Sequence, residues 1–248
     1  MRERALAWDG CLNVRDLGGF ATEDGGETRF GRVVRADSVR KLSRAGWEAA
    51  VGYGIGRVVD LRWHDELEAD PPGDLPVEVV HVSLFGTREP ERWAVVDERA
   101  AATGDDVAEK TYIYVDAVER HRRHFATAIG LVADAPPGAV LVHCEGGKDR
   151  TGLVSAILLR LAGVSPRDVA ADYALSETYL APRHERWLRE AADDAERAQI
   201  RKWTTTPAPV MLRVLEQVEH RHGSVAGYLR SAGATDGVLE RALARLRD

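Results

Sequence analysis

Cys144 and Arg150 stand six positions apart in the stretch His143-Cys144-Glu145-Gly146-Gly147-Lys148-Asp149-Arg150-Thr151-Gly152. A thiolate and a guanidinium held this close suit attack by sulfur on an electrophile whose oxygens carry negative charge. The residues between them supply the surroundings. A tight turn opening into a helix aims successive backbone N–H groups at one point, and the helix N-terminus adds the positive end of its dipole. Together they cradle a phosphate dianion. Gly146 and Gly147 allow a backbone approach that a Cβ would obstruct. The same field favours a thiolate at Cys144. Arg150 closes the ring, its planar fork matching two phosphoryl oxygens and the charge that grows on them. Thr151 offers a hydroxyl to the sulfur when sulfur must leave, and His143 is read as fixing the loop through the backbone. The spacing Cys-x5-Arg alone is a weak signal, whereas the whole string is a strong one. A nucleotide-binding loop competes because of Gly147-Lys148, but that pattern requires Gly at Val142 and Ser or Thr at Asp149. Cys11 has Leu17 at the sixth position and forms no second such loop.

These residues need a strand, a turn and a helix to carry them. Ala139-Val140-Leu141-Val142 is a wholly apolar run that suits the buried centre of a sheet, and residues 153–161 are apolar at helical spacing. Upstream, residues 31–35, 57–61 and 77–84 read as strands. Residues 43–53 read as a helix capped by Ser43, and 111–134 as one helix ending before Pro136-Pro137-Gly138. Gly18-Gly19 and Asp24-Gly25-Gly26 mark turns, with a small hairpin across 19–30. Ser165-Pro166 opens another helix, beyond which the chain reads almost entirely helical. Strands interleaved with helices predict an α/β fold: a central sheet of about four to five mostly parallel strands flanked by helices, with a helical C-terminal half. Asp60 and Arg62 follow a buried strand, where an ion pair with the loop is the expected role. Arg15 and Asp16 are expected to support the loop from behind.

The 248 residues fit one large domain or two small ones, and the lack of repeats, low-complexity tracts or linkers favours a single domain over 1–248. A chain 44% hydrophobic and 30% charged belongs with soluble globular proteins. Its net charge of −6 argues against a nucleic-acid partner held by backbone electrostatics, so an anionic ligand must be captured locally. No stretch approaches the ~20 apolar residues of a membrane span, and the first ten residues lack a secretory signal's apolar run. Two cysteines support neither a disulfide framework nor a thiolate zinc site, and a reducing, cytoplasmic setting is the expectation. The cluster His121-Arg122-Arg123-His124 reads as a solvated face. Residues 178–203, with Trp187 and Trp203 among many charges, read as one or two exposed amphipathic helices.

The string from His143 to Gly152 resembles the signature of the protein-tyrosine-phosphatase superfamily. Its Lys148-Asp149 pair before the arginine is similar to the bacterial branch of atypical tyrosine and phosphoinositide phosphatases. Weaker likenesses extend over nearly the whole chain: Asn13-Val14-Arg15-Asp16-Leu17-Gly18-Gly19, Arg35-Ala36-Asp37, Asp60-Leu61-Arg62 and Gly223-Ser224-Val225-Ala226-Gly227-Tyr228-Leu229. The resemblance implies a tyrosine-phosphatase-like fold and metal-free, cofactor-free hydrolysis of phosphotyrosine through a phosphocysteine intermediate. Phosphoserine, phosphothreonine and phosphoinositides are further substrates on that reading, so the partner is a phosphoprotein or a phospholipid.

A leaving alkoxide or phenoxide needs a proton donor. The chain has no Trp-Pro-Asp tripeptide, and the resemblance implies Asp149 in that role, with Asp60 and an acidic residue within 97–106 as rivals. It also implies that Lys148 contacts a second anionic group and that 178–203 forms a lid. Glu145 is an awkward neighbour for a dianion unless its side chain points outward. Two other readings stay open: a catalytically weak phosphoprotein-binding module, and another thiolate enzyme such as an arsenate reductase. The latter wants a resolving cysteine, for which Cys11 is the sole candidate.

Overall fold

The computed structural model describes residues 3–71, 73 and 75–248. The chain runs through β1 (Arg15–Asp16), β2 (Val33–Ala36), α1 (Arg44–Tyr53), β3 (Ile55–Asp60), α2 (His64–Ala69) and β4 (Glu78–His81). Helices α3 (Pro90–Ala101), α4 (Asp106–Arg120) and α5 (Arg122–Ala133) then lead to β5 (Ala139–His143). The rest is helical: α6 (Asp149–Leu161), α7 (Pro166–Glu190), α8 (Asp194–Thr204), α9 (Ala208–His222), α10 (Val225–Ser231) and α11 (Asp236–Arg247). Among the described residues the strands form one five-stranded sheet in the order β1-β2-β5-β3-β4, parallel except for β1. This is the α/β arrangement that the interleaved pattern predicts.

The apolar run of β5 lies at the centre of the sheet with all five residues buried. Alternate side chains of a strand point to opposite faces, and both faces here are covered. Val140 and Val142 join the larger core with Phe125, Ile129, Leu153 and Ile157, while Ala139 and Leu141 join a smaller one with Trp8, Val39 and Ala50. The central strand is therefore fixed in register by packing on two sides. Ligand sites in open parallel sheets lie beyond the carboxyl ends of the strands. Here the ends of β2, β5 and β3 bring Asp37, Cys144 and Leu61 to one edge.

Local signals set most of the remaining boundaries. Ser43 caps α1 by accepting from the Gly46 N–H at 3.2 Å, and Ser165 caps α7 ahead of Pro166 in the same way, from Asp168 N–H at 3.2 Å. The small hairpin forms, with Thr22 N–H donating to Gly26 O and an isolated pairing of Ala21 with Glu27. The expected single helix over 111–134 is instead two, α4 and α5, broken at His121, whose φ of −99° and ψ of 18° leave the helical region. The buried stripe Thr111, Tyr114/Val115, Val118 and then Phe125, Ala128/Ile129, Val132 keeps a helical period across the break, so its pattern carries no sign of it. Tertiary contact decides: the His121 ring stacks on Phe85 at 5.9 Å and on His124 at 5.7 Å. In the expected solvated cluster, Arg122 and Arg123 are exposed and the two histidines are half-buried. No helix among the described residues is long and apolar enough to cross a membrane.

Candidate active site

The loop between β5 and α6 carries the signature string. Cys144 is buried, 2% exposed, one residue beyond the central strand, and Arg150 lies in the first turn of α6. No side chain caps the start of that helix. Amides from Glu145 to Lys148 donate to no protein acceptor among the described residues, so four successive N–H groups remain for a ligand.

Their direction is set from behind. Asn13 Nδ2 donates to the carbonyls of Gly146 at 3.3 Å and Gly147 at 3.0 Å, and Arg35 Nη2 donates to Gly147 O at 2.8 Å. Within one planar peptide the C=O and N–H point opposite ways, so drawing these carbonyls outward turns the amides of Gly147 and Lys148 inward. Arg15 bonds Asn13 Oδ1 and pairs through Nε with Asp172 Oδ1 at 3.1 Å, while Arg35 Nη1 pairs with Asp172 Oδ2 at 2.6 Å. Arg15, Arg35 and Asp172 are each about 1% exposed at the side chain. Burial works to raise the Asp172 pKa, but Arg15 and Arg35 hold it below the ordinary carboxylate range. Gly147 has φ of +63°, and a Cβ there would meet Ala36 O at 2.4 Å. Gly146 is under no such constraint, its nearest neighbour being Lys148 Cβ at 3.8 Å.

At the mouth, both Arg150 Nη groups grip Glu66 of α2, one of them at 2.9 Å, and the guanidinium lies 4.5 Å from the centre of the Trp63 ring. Two of five N–H groups are used in this way, which leaves three for an oxyanion. Burial opposes the Arg150 charge, but the Cys144 sulfur, Glu66 and Asp149 hold its pKa above the usual value. Glu66 was not singled out in the sequence. Its only local sign is a place in the first turn of a short helix, where its carboxylate accepts from Trp63 N–H at 2.8 Å.

The structure brings Asp149 to the loop, its side chain 42% exposed. It accepts from Tyr114 O–H, and Tyr114 lies 2.9 Å from Tyr173 O–H, so a two-hydroxyl chain feeds this carboxylate. Burial raises its pKa, yet Lys148, the Tyr114 hydrogen bond, Lys110 and Arg150 bring it below the ordinary value. Lys148 Nζ donates to Trp203 O and lies 3.6 Å from Asp149. Lys110, pushed down to about 8 by burial and by Lys148, holds Thr205 O and Lys202 O just beside it. The two lysines thus satisfy the last carbonyls of α8.

A model of the tyrosine phosphatase family matches residues 6–248. The chain belongs to that family. It is 28% identical over 223 residues to a tyrosine-protein phosphatase of Nostoc commune, covering 86% of this chain and 73% of that one. A protein of Cupriavidus necator provisionally named a tyrosine-protein phosphatase is 31% identical, with 93% and 85% covered. The triple specificity protein phosphatase PtpB of Mycobacterium tuberculosis is 27% identical, with 97% of each chain covered. The protein is accordingly a phosphoric monoester hydrolase.

The other candidate residues of the phosphatase fall at different distances from the loop. His143 Nδ1 bonds the Cys144 carbonyl at 3.1 Å, and its Nε2 lies 3.6 Å from Asp60, its register partner on β3. Burial pushes the His143 pKa down. Asp60 is engaged by Arg62 at 2.8 Å, so the two pair with each other, and Asp60 meets the start of the loop through His143. Burial would raise the Asp60 pKa, but His143 and Arg62 lower it. Thr151 Oγ1 is buried and has no hydrogen-bond partner among the described residues. The Glu145 carboxylate points outward to Lys41 at 2.6 Å. Asp16 lies apart from the loop: it accepts from the Gly18 N–H at 2.6 Å, the Gly31 N–H at 2.8 Å and the Tyr53 hydroxyl at 2.5 Å. Of the acids within 97–106, Asp105 caps α4, Asp106 lies 3.9 Å from Lys202, and Asp97 and Glu98 are exposed on α3. Cys11 belongs with the smaller core, its thiol donating to Ser38 O at 3.4 Å. Burial, then the charge of Asp37, pushes its pKa up, which leaves a poor resolving thiol.

Proposed function

We propose that this phosphatase hydrolyses phosphotyrosine in proteins through a phosphocysteine intermediate. The Cys144 sulfur attacks phosphorus, the P–O bond to the tyrosine breaks, and the departing oxygen takes a proton from Asp149. Water then attacks the thiophosphate, the S–P bond breaks, and Asp149 receives the proton. Glu145, Gly146, Gly147 and Lys148 supply amides to the equatorial oxygens, Arg150 holds two of them, and Thr151 O–H stabilises the sulfur as it leaves. The observation that carries this reading is the buried Cys144 at the head of four successive amides that no protein acceptor among the described residues takes, in a loop that ends on Arg150 with three N–H groups left beyond its Glu66 fork. Asp149 is held ionised in the free protein, and an arriving phosphate dianion favours its protonated form because two adjacent anions repel. The triple specificity in the name of the Mycobacterium relative supports a substrate range wider than phosphotyrosine, which we extend to phosphoserine and phosphothreonine. Phosphoinositides are the second substrate class. A free nucleophilic thiol suits a reducing, cytoplasmic setting.

Purified protein is expected to hydrolyse p-nitrophenyl phosphate in EDTA, Cys144→Ser to lose at least about 10⁴-fold in kcat, and Arg150→Ala to lose about 10²–10³-fold. Turnover surviving in Cys144→Ser discards the mechanism.

We read the chain as a single phosphatase domain in which residues 178–203 form a lid. The support is the grip of Lys148 on Trp203 O, which ties α8 to the loop. Deleting the segment is expected to speed labelling of Cys144 by a thiol reagent, and unchanged labelling dismisses the lid.

A further inference from the structure

Next to the outward face of Glu145 the surface opens into a cleft of about 420 Å³. Lys41, Arg183 and Arg186 bring three positive charges to it, Leu12 and Trp187 line it with apolar surface, and Glu145 stands at its rim. Two of those cations are already committed. Lys41 is held by Glu145 at 2.6 Å, and Arg183 is paired with the buried Asp37. Arg186 is exposed and makes no ion pair among the described residues. Trp187 is 40% exposed and Leu12 39%, so the apolar wall is open to a ligand.

Glu145 follows the nucleophile in the chain, about 3.8 Å away at Cα. An extended peptide advances about 3.3 Å per residue, so side chains within a few residues of a phosphotyrosine at Cys144 come within reach of a cleft that begins at Glu145. An arginine beside an indole and a leucine matches a carboxylate next to an aliphatic stem. It matches a polyphosphorylated headgroup poorly, because Arg186 alone is uncommitted to meet several added charges and the apolar wall gains nothing from them.

Resting on the phosphotyrosine reading, we propose that this cleft is a second recognition site of the phosphatase, binding an acidic residue that flanks the phosphotyrosine of a protein substrate. The carboxylate lies on Arg186, and the stem packs on Trp187 and Leu12.

The test compares kcat/KM for a phosphotyrosine peptide carrying glutamates on both flanks with its glutamine counterpart, in wild type and in Arg186→Glu, together with phosphoinositide vesicles. Taking the ratio within each protein cancels any general change in activity. The wild-type ratio is expected to favour glutamate by about twofold to fivefold at low salt, and Arg186→Glu to remove or invert the preference. A wild type that hydrolyses both peptides equally overturns the site and leaves the phosphotyrosine function standing. An Arg186→Glu variant that keeps the preference also overturns the site, as does one that loses only vesicle hydrolysis. A wild type that hydrolyses neither peptide overturns the phosphotyrosine reading itself.

Discussion

Behind the signature loop, Asp172 joins Arg15 and Arg35 in ion pairs whose side chains are all about 1% exposed, whereas at its mouth Glu66 is 21% and Asp149 42% exposed. Both sets surround the same seven residues with charge. The difference lies in what water can do for a broken contact. Removing one partner of a buried pair strands the other, at a cost of several kcal/mol, so the rear network behaves as fixed scaffolding. At the mouth the Arg150 side chain is 9% exposed but its partner carboxylate keeps some contact with water, so breaking that pair costs less than breaking the rear one and the mouth can exchange partners when a dianion arrives.

The strongest way to break that contrast is Asp172→Ala. It leaves two buried guanidiniums facing each other and is expected to cost about 3–5 kcal/mol in urea unfolding, out of a typical total of about 5–15. A loss under about 1 kcal/mol would put the rear network on a par with the mouth. The same carboxylate predicts a pH signature. Its folded pKa is depressed, so its contribution is present above the ordinary value of ~3.9 and fades as pH falls below it. Wild-type stability should therefore drop more steeply below about pH 4 than that of Asp172→Ala.

A smaller effect on stability and a larger one on chemistry is expected at the mouth. Asp149→Asn should fold normally and lose about 10²-fold in kcat on phenyl phosphate, with a smaller loss on p-nitrophenyl phosphate, whose leaving group needs less help. Equal losses on both substrates would remove Asp149 from proton transfer.

Tyr114→Phe sharpens the contrast most gently. The Tyr114 O–H lowers the Asp149 pKa, so its loss moves that pKa up, and a group that must be protonated then works to higher pH. The alkaline limb of kcat/KM should shift upward, while the plateau falls by no more than about tenfold, the worth of one ordinary hydrogen bond. An unmoved limb would mean that Asp149 is not the titrating acid.

What the sequence made legible is local. The strand-turn-helix around Cys144 is continuous in the chain, its glycines and apolar runs state their own geometry, and β5 differs from its expected span only by His143. Ser43 and Ser165 announced their helices for the same reason. The residues that brace the loop come from far away: Asp172 meets Arg35 across 137 positions, and Glu66 meets Arg150 across 84. Inside α7 and α2, each is an ordinary helical acid with no mark of its destination. Arg15 and Asp16 show a finer limit. Neighbours on a strand face opposite ways, so only one of them turns to the loop network while the other turns to Tyr53, and the pair alone did not say which.

Asp172, Ser176 and Arg183 recur on α7 at intervals of four and seven, a single stripe about 16 Å long down one helix. Asp172 and Ser176 meet Arg15 and Arg35, and Arg183 meets Asp37, whose carboxylate accepts the N–H groups of Leu12 and Asn13. One rod thus touches the loop's supports at three heights. The curvature of the phosphate cradle is inherited from how that rod leans against the sheet, and a substitution that tilts it would deform the cradle without touching any atom that meets substrate.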